Sequence, residues 1–158
     1  VFTDVQWGYV RQNLRILSGF YGILRPEDGV VPYRLEMQAR LAVKGEKDLY
    51  GFWKGKISEK LLEDGAEPVL NLASKEYSRA VEPYLPPHVP FITCIFGEYS
   101  EGKVKMKGTQ AKMARGEMVR WIAENQIQDW KDITEFDGLG YHFDGELSGG
   151  TELVFCRS

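Results

Sequence analysis

Glu67 to Ala73 reads EPVLNLA, a short stretch whose apolar part is bounded by Pro68 and Ser74. It is typical of a buried β-strand, because a strand covered on both faces has a continuous hydrophobic sequence. Ser74 is a candidate N-cap, and residues 75–84 are expected to form the helix that it begins. The stretch therefore predicts a strand followed directly by a helix.

The chain after this unit predicts further strands and one long helix. Residues 89–99 (VPFITCIFGEY) are rich in β-branched and aromatic residues, and residues 103–107 (KVKMK) follow across Ser-Glu-Gly, which favours a β-hairpin. Residues 110–126 predict a helix with Met113, Met118, Trp121 and Ile122 facing inward. Residues 140–147 and 151–157 are expected to be two more strands.

The chain before this unit predicts two helices separated by a long loop. The first helix is expected at residues 4–17, with Asp4 as its N-cap, and the second at residues 47–62. Gly and Pro recur through residues 20–37 and exclude a long helix there, so this part is an ordered loop or short strands. The whole pattern predicts a mixed α and β fold of one domain, residues 1–158, with a central mixed sheet, flanking helices and β-hairpins.

Composition excludes several classes of protein. No apolar run reaches the length of a spanning helix, and the first residues lack the features of a secretory signal, so a cytoplasmic protein without a membrane partner is expected. Cys94 and Cys156 are far apart and have apolar neighbours, which predicts buried reduced thiols. His88 and His142 lack ligand spacing, and neither GxGxxG nor a Walker A loop occurs, so no metal and no cofactor is predicted.

Basic residues are concentrated in one part of an acidic chain. The formal net charge is −3, yet residues 103–120 carry six Lys and Arg and one acid. The members of this basic segment are Lys103, Lys105, Lys107, Lys112, Arg115 and Arg120. Alternation along the second strand of the hairpin places Lys103, Lys105 and Lys107 on one face, which predicts a surface for an anionic partner or a solvated charged face. Gly116 would allow a close backbone approach to a ligand or another helix.

The loop after the first helix contains Arg25, Tyr33, Arg34 and Glu36. Guanidinium groups in an ordered loop bind phosphate or carboxylate in forked hydrogen bonds. Alternatively, Arg34 and Glu36 form a structural ion pair. Glu36 would be a candidate general base if it were buried.

A further polar set follows the strand of residues 67–73, namely Asn71, Ser74 and Glu76. Ligands in α/β proteins often bind at this end of a strand, where helix amides point outward. The simpler alternative is that Ser74 only caps the helix and Asn71 only satisfies a turn.

The same segments resemble the YaaA family of bacterial peroxide stress proteins. The resemblance lies in LSGFYGILRP at residues 17–26, PYRLEM at 32–37, DLYGFW at 48–53 and NLASKEY at 71–77. It continues in AKMARG at residues 111–116, Gly140-Tyr141 and ELVFCR at 152–157. Members of that family have a further N-terminal segment, and this chain begins at Val1, so we expect a chain truncated at its N-terminus that packs against the missing segment.

The resemblance implies a DNA-binding protein with a positively charged cleft that protects DNA from oxidative damage and limits intracellular iron. We therefore expect contacts with double-stranded or branched DNA that do not read sequence, from Arg25, Arg34, Lys105, Lys107, Lys112, Arg115 and Arg120. The alternative is an enzyme acting on a nucleobase, nucleotide or damaged DNA. Its catalytic or substrate-binding residues would be Tyr33, Glu36, Asn71, Ser74 and Glu76. A structural role in a larger assembly is the third hypothesis.

Overall fold

A computed structural model describes residues 1–158. Its α-helices are α1 Asp4–Asn13, α2 Leu49–Trp53, α3 Lys56–Glu63, α4 Lys75–Ser78 and α5 Gly108–Asn125. Its strands are β1 Ile16–Ser18, β2 Gly22–Leu24, β3 Val69–Asn71, β4 Phe91–Ser100, β5 Lys103–Lys105, β6 His142–Phe143 and β7 Glu152–Arg157. Short 3₁₀ helices cover Glu82–Tyr84, Trp130–Glu135 and Gly138–Gly140. No helix is both long enough and apolar enough to cross a membrane.

Contacts within the chain form two compact units. The sheet unit consists of Val1–Tyr9, Val69–Leu72 and Phe91–Ser158. The loop unit consists of Val10–Pro68 and Ala73–Pro90. The single domain expected from length remains a prediction.

The sheet unit is organised around β4. Its strand order is β3-β4-β7-β6, and β5 pairs with the last three residues of β4. β4 is parallel to β3 and β7, whereas β5 is antiparallel to β4 and β6 is antiparallel to β7. The sheet is therefore mixed, which confirms the predicted fold class and the hairpin of β4 and β5.

One face of β4 forms the core of the sheet unit. Alternate residues Ile92, Cys94 and Phe96 are buried, and the buried α5 residues Ala114 and Met118 belong to the same cluster. Period-two alternation on the strand and the small side chains of Ala111 and Ala114 on the helix allow the two elements to pack closely. Each fully buried large apolar side chain contributes about 1.5–3 kcal/mol relative to exposure. Met113, which the helical pattern placed inward, is 56% exposed, so that prediction was wrong.

The loop unit contains a tight hairpin. β1 and β2 pair antiparallel, with Ser18 opposite Gly22. Ser18 is buried, and its Oγ accepts hydrogen bonds from the backbone N–H of Phe20 and of Tyr21. Gly22 has φ of +80°, and a Cβ on it would lie 2.8 Å from the Trp53 ring. Glycine at this position thus permits both the turn and the close approach of Trp53.

Helix boundaries differ from the sequence prediction at several positions. The first helix ends at Asn13 because the next residues form β1, and its cap is Thr3, which exchanges hydrogen bonds with Gln6 at 3.2 and 2.9 Å as a capping box. The helix expected at 47–62 is two helices, because Lys54 has a positive φ of 47°. The helix expected at 75–84 ends at Ser78 and is followed by a 3₁₀ helix that contains Pro83.

Both cysteines are free and buried, as predicted. Burial raises the pKa of the Cys94 thiol to about 12 and also raises the pKa of Cys156.

Candidate nucleic-acid interface

The β4-β5 hairpin presents the first lysines of the basic segment. Glu101 and Gly102 form its turn with φ of 51° and 73°, the left-handed conformation that a tight hairpin requires. Lys103 and Lys105 lie on β5 on either side of the partly buried Val104, and both are exposed without an ion pair. The predicted alternation is therefore present for Lys103 and Lys105, but Lys107 lies beyond the end of β5, so its predicted place on the strand was wrong.

Lys107 occupies the N-cap position of α5 and has a partner that the sequence did not reveal. Its Nζ lies 2.9 Å from Glu98 Oε2 on β4. Arg157 binds the other oxygen of Glu98, from Nε at 2.9 Å and from Nη2 at 2.7 Å. Hydrogen bonds from Lys107 and then Arg157 lower the pKa of Glu98 despite its partial burial. Lys107 is therefore less available to an external phosphate than its sequence position suggested.

The N-terminus of α5 is electropositive. Its first turn contains no acidic residue, and no side chain caps it. Unpaired N–H groups and the helix dipole add positive potential at this end. Lys112 is exposed on the next turn and forms no ion pair, whereas Arg120 is bound to Glu124 at 2.7 Å.

Arg115 differs from its neighbours because it is half-buried. Its Nε is inaccessible to solvent and has no hydrogen-bond partner. Desolvation by burial lowers the pKa of its guanidinium. Next to it, a Cβ on Gly116 would meet no atom within 4 Å, so packing within the chain does not require a glycine there.

In the loop unit, Arg25 belongs to an ion-pair hub centred on Asp64. The side chain of Asp64 contacts Arg15 at 3.1 Å, Arg25 at 3.3 Å and Lys60 at 3.3 Å. Desolvation would raise the pKa of Asp64, but hydrogen bonds from Arg15 and Lys60 and the charge of Arg25 outweigh it and lower the pKa. Sequence analysis missed this hub because its members are distributed over residues 15–64.

Tyr33, Arg34 and Glu36 lie in the loop that follows β2. The Tyr33 hydroxyl is hydrogen-bonded to Ser18, and its ring stacks on Phe20 with centroids 5.4 Å apart. Arg34 and Glu36 are both exposed, and no ion pair joins them. The structural ion pairs that were the alternative role for Arg34 and Glu36 are thus absent. Glu36 also lacks the burial on which its role as a general base depended.

The third predicted set is distributed over both units. Asn71 is buried at the end of β3 in the sheet unit, where its Nδ2 donates to Thr93 Oγ1 at 3.2 Å. Ser74, in the loop unit, is the N-cap residue of α4, but its side chain makes no capping hydrogen bond. Glu76 accepts a hydrogen bond from the Gln38 N–H at 3.3 Å.

A shallow cavity of about 680 Å³ lies in the sheet unit, and none of the residues predicted to form a site lines it. Its lining includes Glu98, Tyr99, His142, Asp144 and Arg157. The Tyr99 hydroxyl donates to Asp144, and Arg157 is fully engaged with Glu98, Gln110 and a backbone carbonyl. These polar groups mainly bind one another.

Comparison with known proteins identifies a single family. A family model described as "Peroxide stress protein YaaA" matches residues 1–147. A "UPF0246 protein" of Lactiplantibacillus plantarum is 52% identical over 155 residues, which cover 98% of this chain and 62% of that protein. A "UPF0246 protein" of Pediococcus pentosaceus is 49% identical over 158 residues, covering 100% and 62% respectively. The chain therefore spans about 62% of the length of these curated relatives.

Proposed function

The chain belongs to the family of the peroxide stress protein YaaA, and from this premise we propose that it acts in the peroxide stress response by binding DNA through phosphate contacts that do not read sequence. The proposal includes a cytoplasmic location, where chromosomal DNA lies. Protection of bound DNA is its direct effect, and any limitation of intracellular iron is an indirect one.

The proposal rests on one observation, that several lysines of the basic segment are exposed and form no ion pair. Lys103, Lys105 and Lys112 are exposed and have no ion pair, although the chain as a whole is acidic. They flank an uncapped helix N-terminus without acidic residues. Cations that form no ion pair within the protein are available to neutralise phosphates, and the dipole of α5 adds to the same field.

Arg115 supports the proposal less than the exposed lysines do. Its Nε is inaccessible to solvent, so an arriving phosphate oxygen could not reach that nitrogen directly. Lys107 and Arg120 have weaker support, because Glu98 and Glu124 already pair with them. In the loop unit Arg34 is available, whereas Arg25 is engaged with Asp64.

The test is a salt series of DNA binding by fluorescence anisotropy, using an end-labelled duplex and salt from about 50 to about 200 mM. A triple variant, Lys103→Ala with Lys105→Ala and Lys112→Ala, is compared with the native chain. The slope of log K against log salt is negative, and each lost phosphate contact reduces its magnitude by about 0.9, so a reduction of up to about 2.7 is expected.

The matched control removes the same charge elsewhere, by Lys47→Ala, Lys75→Ala and Lys131→Ala, which are exposed and form no ion pair. If this control reduced the magnitude of the slope as much as the triple variant, the basic segment would not be the interface. If the folded native chain bound no duplex at the lowest salt, DNA binding by this chain would be disproved.

A further inference from the structure

The loop unit exposes an aromatic cluster that phosphate binding does not explain. Phe20 is 53% exposed and Tyr33 is 42% exposed. The two rings stack at a centroid distance of 5.4 Å and an interplanar angle of 29°. Tyr21 packs edge-on against both, at 4.9 and 5.7 Å. Grouped exposed aromatic rings are a candidate binding surface, because covering apolar surface is favourable in water.

Hydrogen bonds hold these rings in place. Ser18, buried in β1, bonds the Tyr33 hydroxyl and also accepts from the N–H groups of Phe20 and Tyr21. The Tyr21 hydroxyl accepts from the Val31 N–H at 3.0 Å. Trp53 Nε1 donates to the Gly19 carbonyl at 3.0 Å, which fixes the turn beneath Phe20. The cluster is therefore preorganised, and covering it costs little conformational entropy.

From this geometry we infer that Phe20, supported by Tyr33, is a stacking platform for an unpaired nucleobase of the bound DNA. The inference rests on the proposed function and specifies its substrate class. A base has a flat π face, and continuing an existing offset stack is a favourable way to cover a ring. Intact duplex offers only base edges and phosphates, because neighbouring base pairs cover its base faces. The ligand that fits is DNA with an unpaired base, at a gap, a branch or a frayed end.

Charge around the platform agrees with this ligand. Arg34 directly follows Tyr33, is exposed and forms no ion pair, so it is available to the phosphate beside a stacked base. Arg40, in the same loop, is likewise exposed and without an ion pair. Exposed aromatic rings and unpaired arginines in one segment of the chain are the types of group that bind single-stranded nucleic acids.

The experiment compares a gapped duplex, with a fluorescent adenine analogue in the gap, and the matching intact duplex. Quenching of the analogue and about tenfold tighter binding of the gapped DNA are expected for the native chain. Phe20→Leu should lose the quenching and the tenfold preference while binding the intact duplex as before. Phe20→Tyr, which keeps an aromatic face, should retain both. Tyr84→Leu is the matched control, since Tyr84 is 44% exposed and lies outside the platform.

The outcomes separate this inference from the proposed function. If Phe20→Leu and Tyr84→Leu bind gapped DNA equally well, the platform is disproved and DNA binding stands. If the native chain binds neither DNA, the proposed function fails, and saturation-transfer NMR with deoxyadenosine monophosphate decides the platform. Binding of that nucleotide that Phe20→Leu abolishes and Tyr84→Leu retains would support the platform. Absent binding, or binding unchanged in Phe20→Leu, would overturn it.

Discussion

Arg157 on β7 and Glu98 on β4 face each other directly in the parallel register, and the guanidinium donates two hydrogen bonds to one carboxylate oxygen. The other oxygen of Glu98 binds Lys107 at the start of α5. Arg157 also donates to Gln110 Oε1 at 2.8 Å, in the first turn of that helix. One carboxylate thus connects two strands with the most basic helix of the chain.

Glu98→Gln should lower the stability of the chain near neutral pH, because a neutral amide replaces the carboxylate that two cations share. The folded-state pKa of Glu98 is lowered, so its contribution is present above the unfolded pKa and is lost as pH falls through the folded value. Denaturant unfolding across the acidic range measures this. The variant should show a weaker fall in stability with acidification than the native chain.

Glu101→Gln is the control, since Glu101 lies exposed in the turn between β4 and β5. An equal effect of Glu101→Gln on the acid dependence would show that net charge, and not the Glu98 network, is responsible.

Gly97→Ala should destabilise the hairpin of β4 and β5. A Cβ at this position would lie 2.3 Å from Val104 Cγ1, so β5 would have to move. Overpacking of a buried position costs about 1–3 kcal/mol. The free energy of unfolding should recover in the double variant with Val104→Ala, which removes the clashing atom. Gly149→Ala is the control, because a Cβ there meets nothing within 4 Å. Additive effects of Gly97→Ala and Val104→Ala would contradict the clash.

Gly116→Ala should stabilise the chain, in contrast to Gly97→Ala. Gly116 lies in the interior of α5, at an exposed position with no atom within 4 Å of an added Cβ. Replacing glycine by alanine in an exposed helix interior stabilises by about 0.5–1 kcal/mol, because the unfolded chain loses freedom. Thermal unfolding measures the gain. A destabilised variant would mean that the helix needs glycine for a reason other than packing.

Asp64→Ala should destabilise the loop unit and make stability depend on salt. The substitution leaves Arg15, Arg25 and Lys60 close together without their shared acid. Repulsion between neighbouring cations is screened by salt, so added sodium chloride should recover part of the lost stability. Glu63→Ala is the control, since Glu63 is 70% exposed and lies 3.9 Å from Lys60. If added salt did not restore stability to Asp64→Ala, the hub would not be an electrostatic one.

Elements that depend on short-range sequence patterns could be predicted from the sequence. The hairpin of β4 and β5 was predictable because Glu101-Gly102 separates two strand-like runs, and α5 because its helical pattern is long. The position of β7 beside β4 could not be predicted. Residues 93–98 pair in parallel with residues 152–157, and such pairing produces no recognisable pattern in the sequence of either segment. Neither could the break at Lys54 be predicted, because few sequence signals indicate a positive φ at a lysine.

The candidate site, too, could be predicted from the sequence only in part. The cations of the basic segment were visible as a cluster, but the partners that engage some of them were less evident. Arg120 pairs with Glu124 at i,i+4 spacing, which the sequence alone could have indicated. Lys107 pairs with Glu98 across the hairpin, which requires the strand register. The stacking of Phe20 on Tyr33 depends on the loop conformation, and the sequence identified Tyr33 only as a polar candidate.

Neither thiol should respond to peroxide while the chain is folded. Cys94 and Cys156 are 3% exposed, and burial raises the pKa of both thiols, that of Cys94 to about 12. The thiolate is the reactive form, so a raised pKa and burial together slow oxidation and alkylation. A thiol-specific reagent near the usual thiol pKa of about 8.5 should modify neither cysteine in the native chain and both in denaturant. Mass spectrometry after peroxide exposure should likewise find both thiols reduced. Rapid native modification of either cysteine would contradict this prediction and would indicate that the folded chain reacts with peroxide directly.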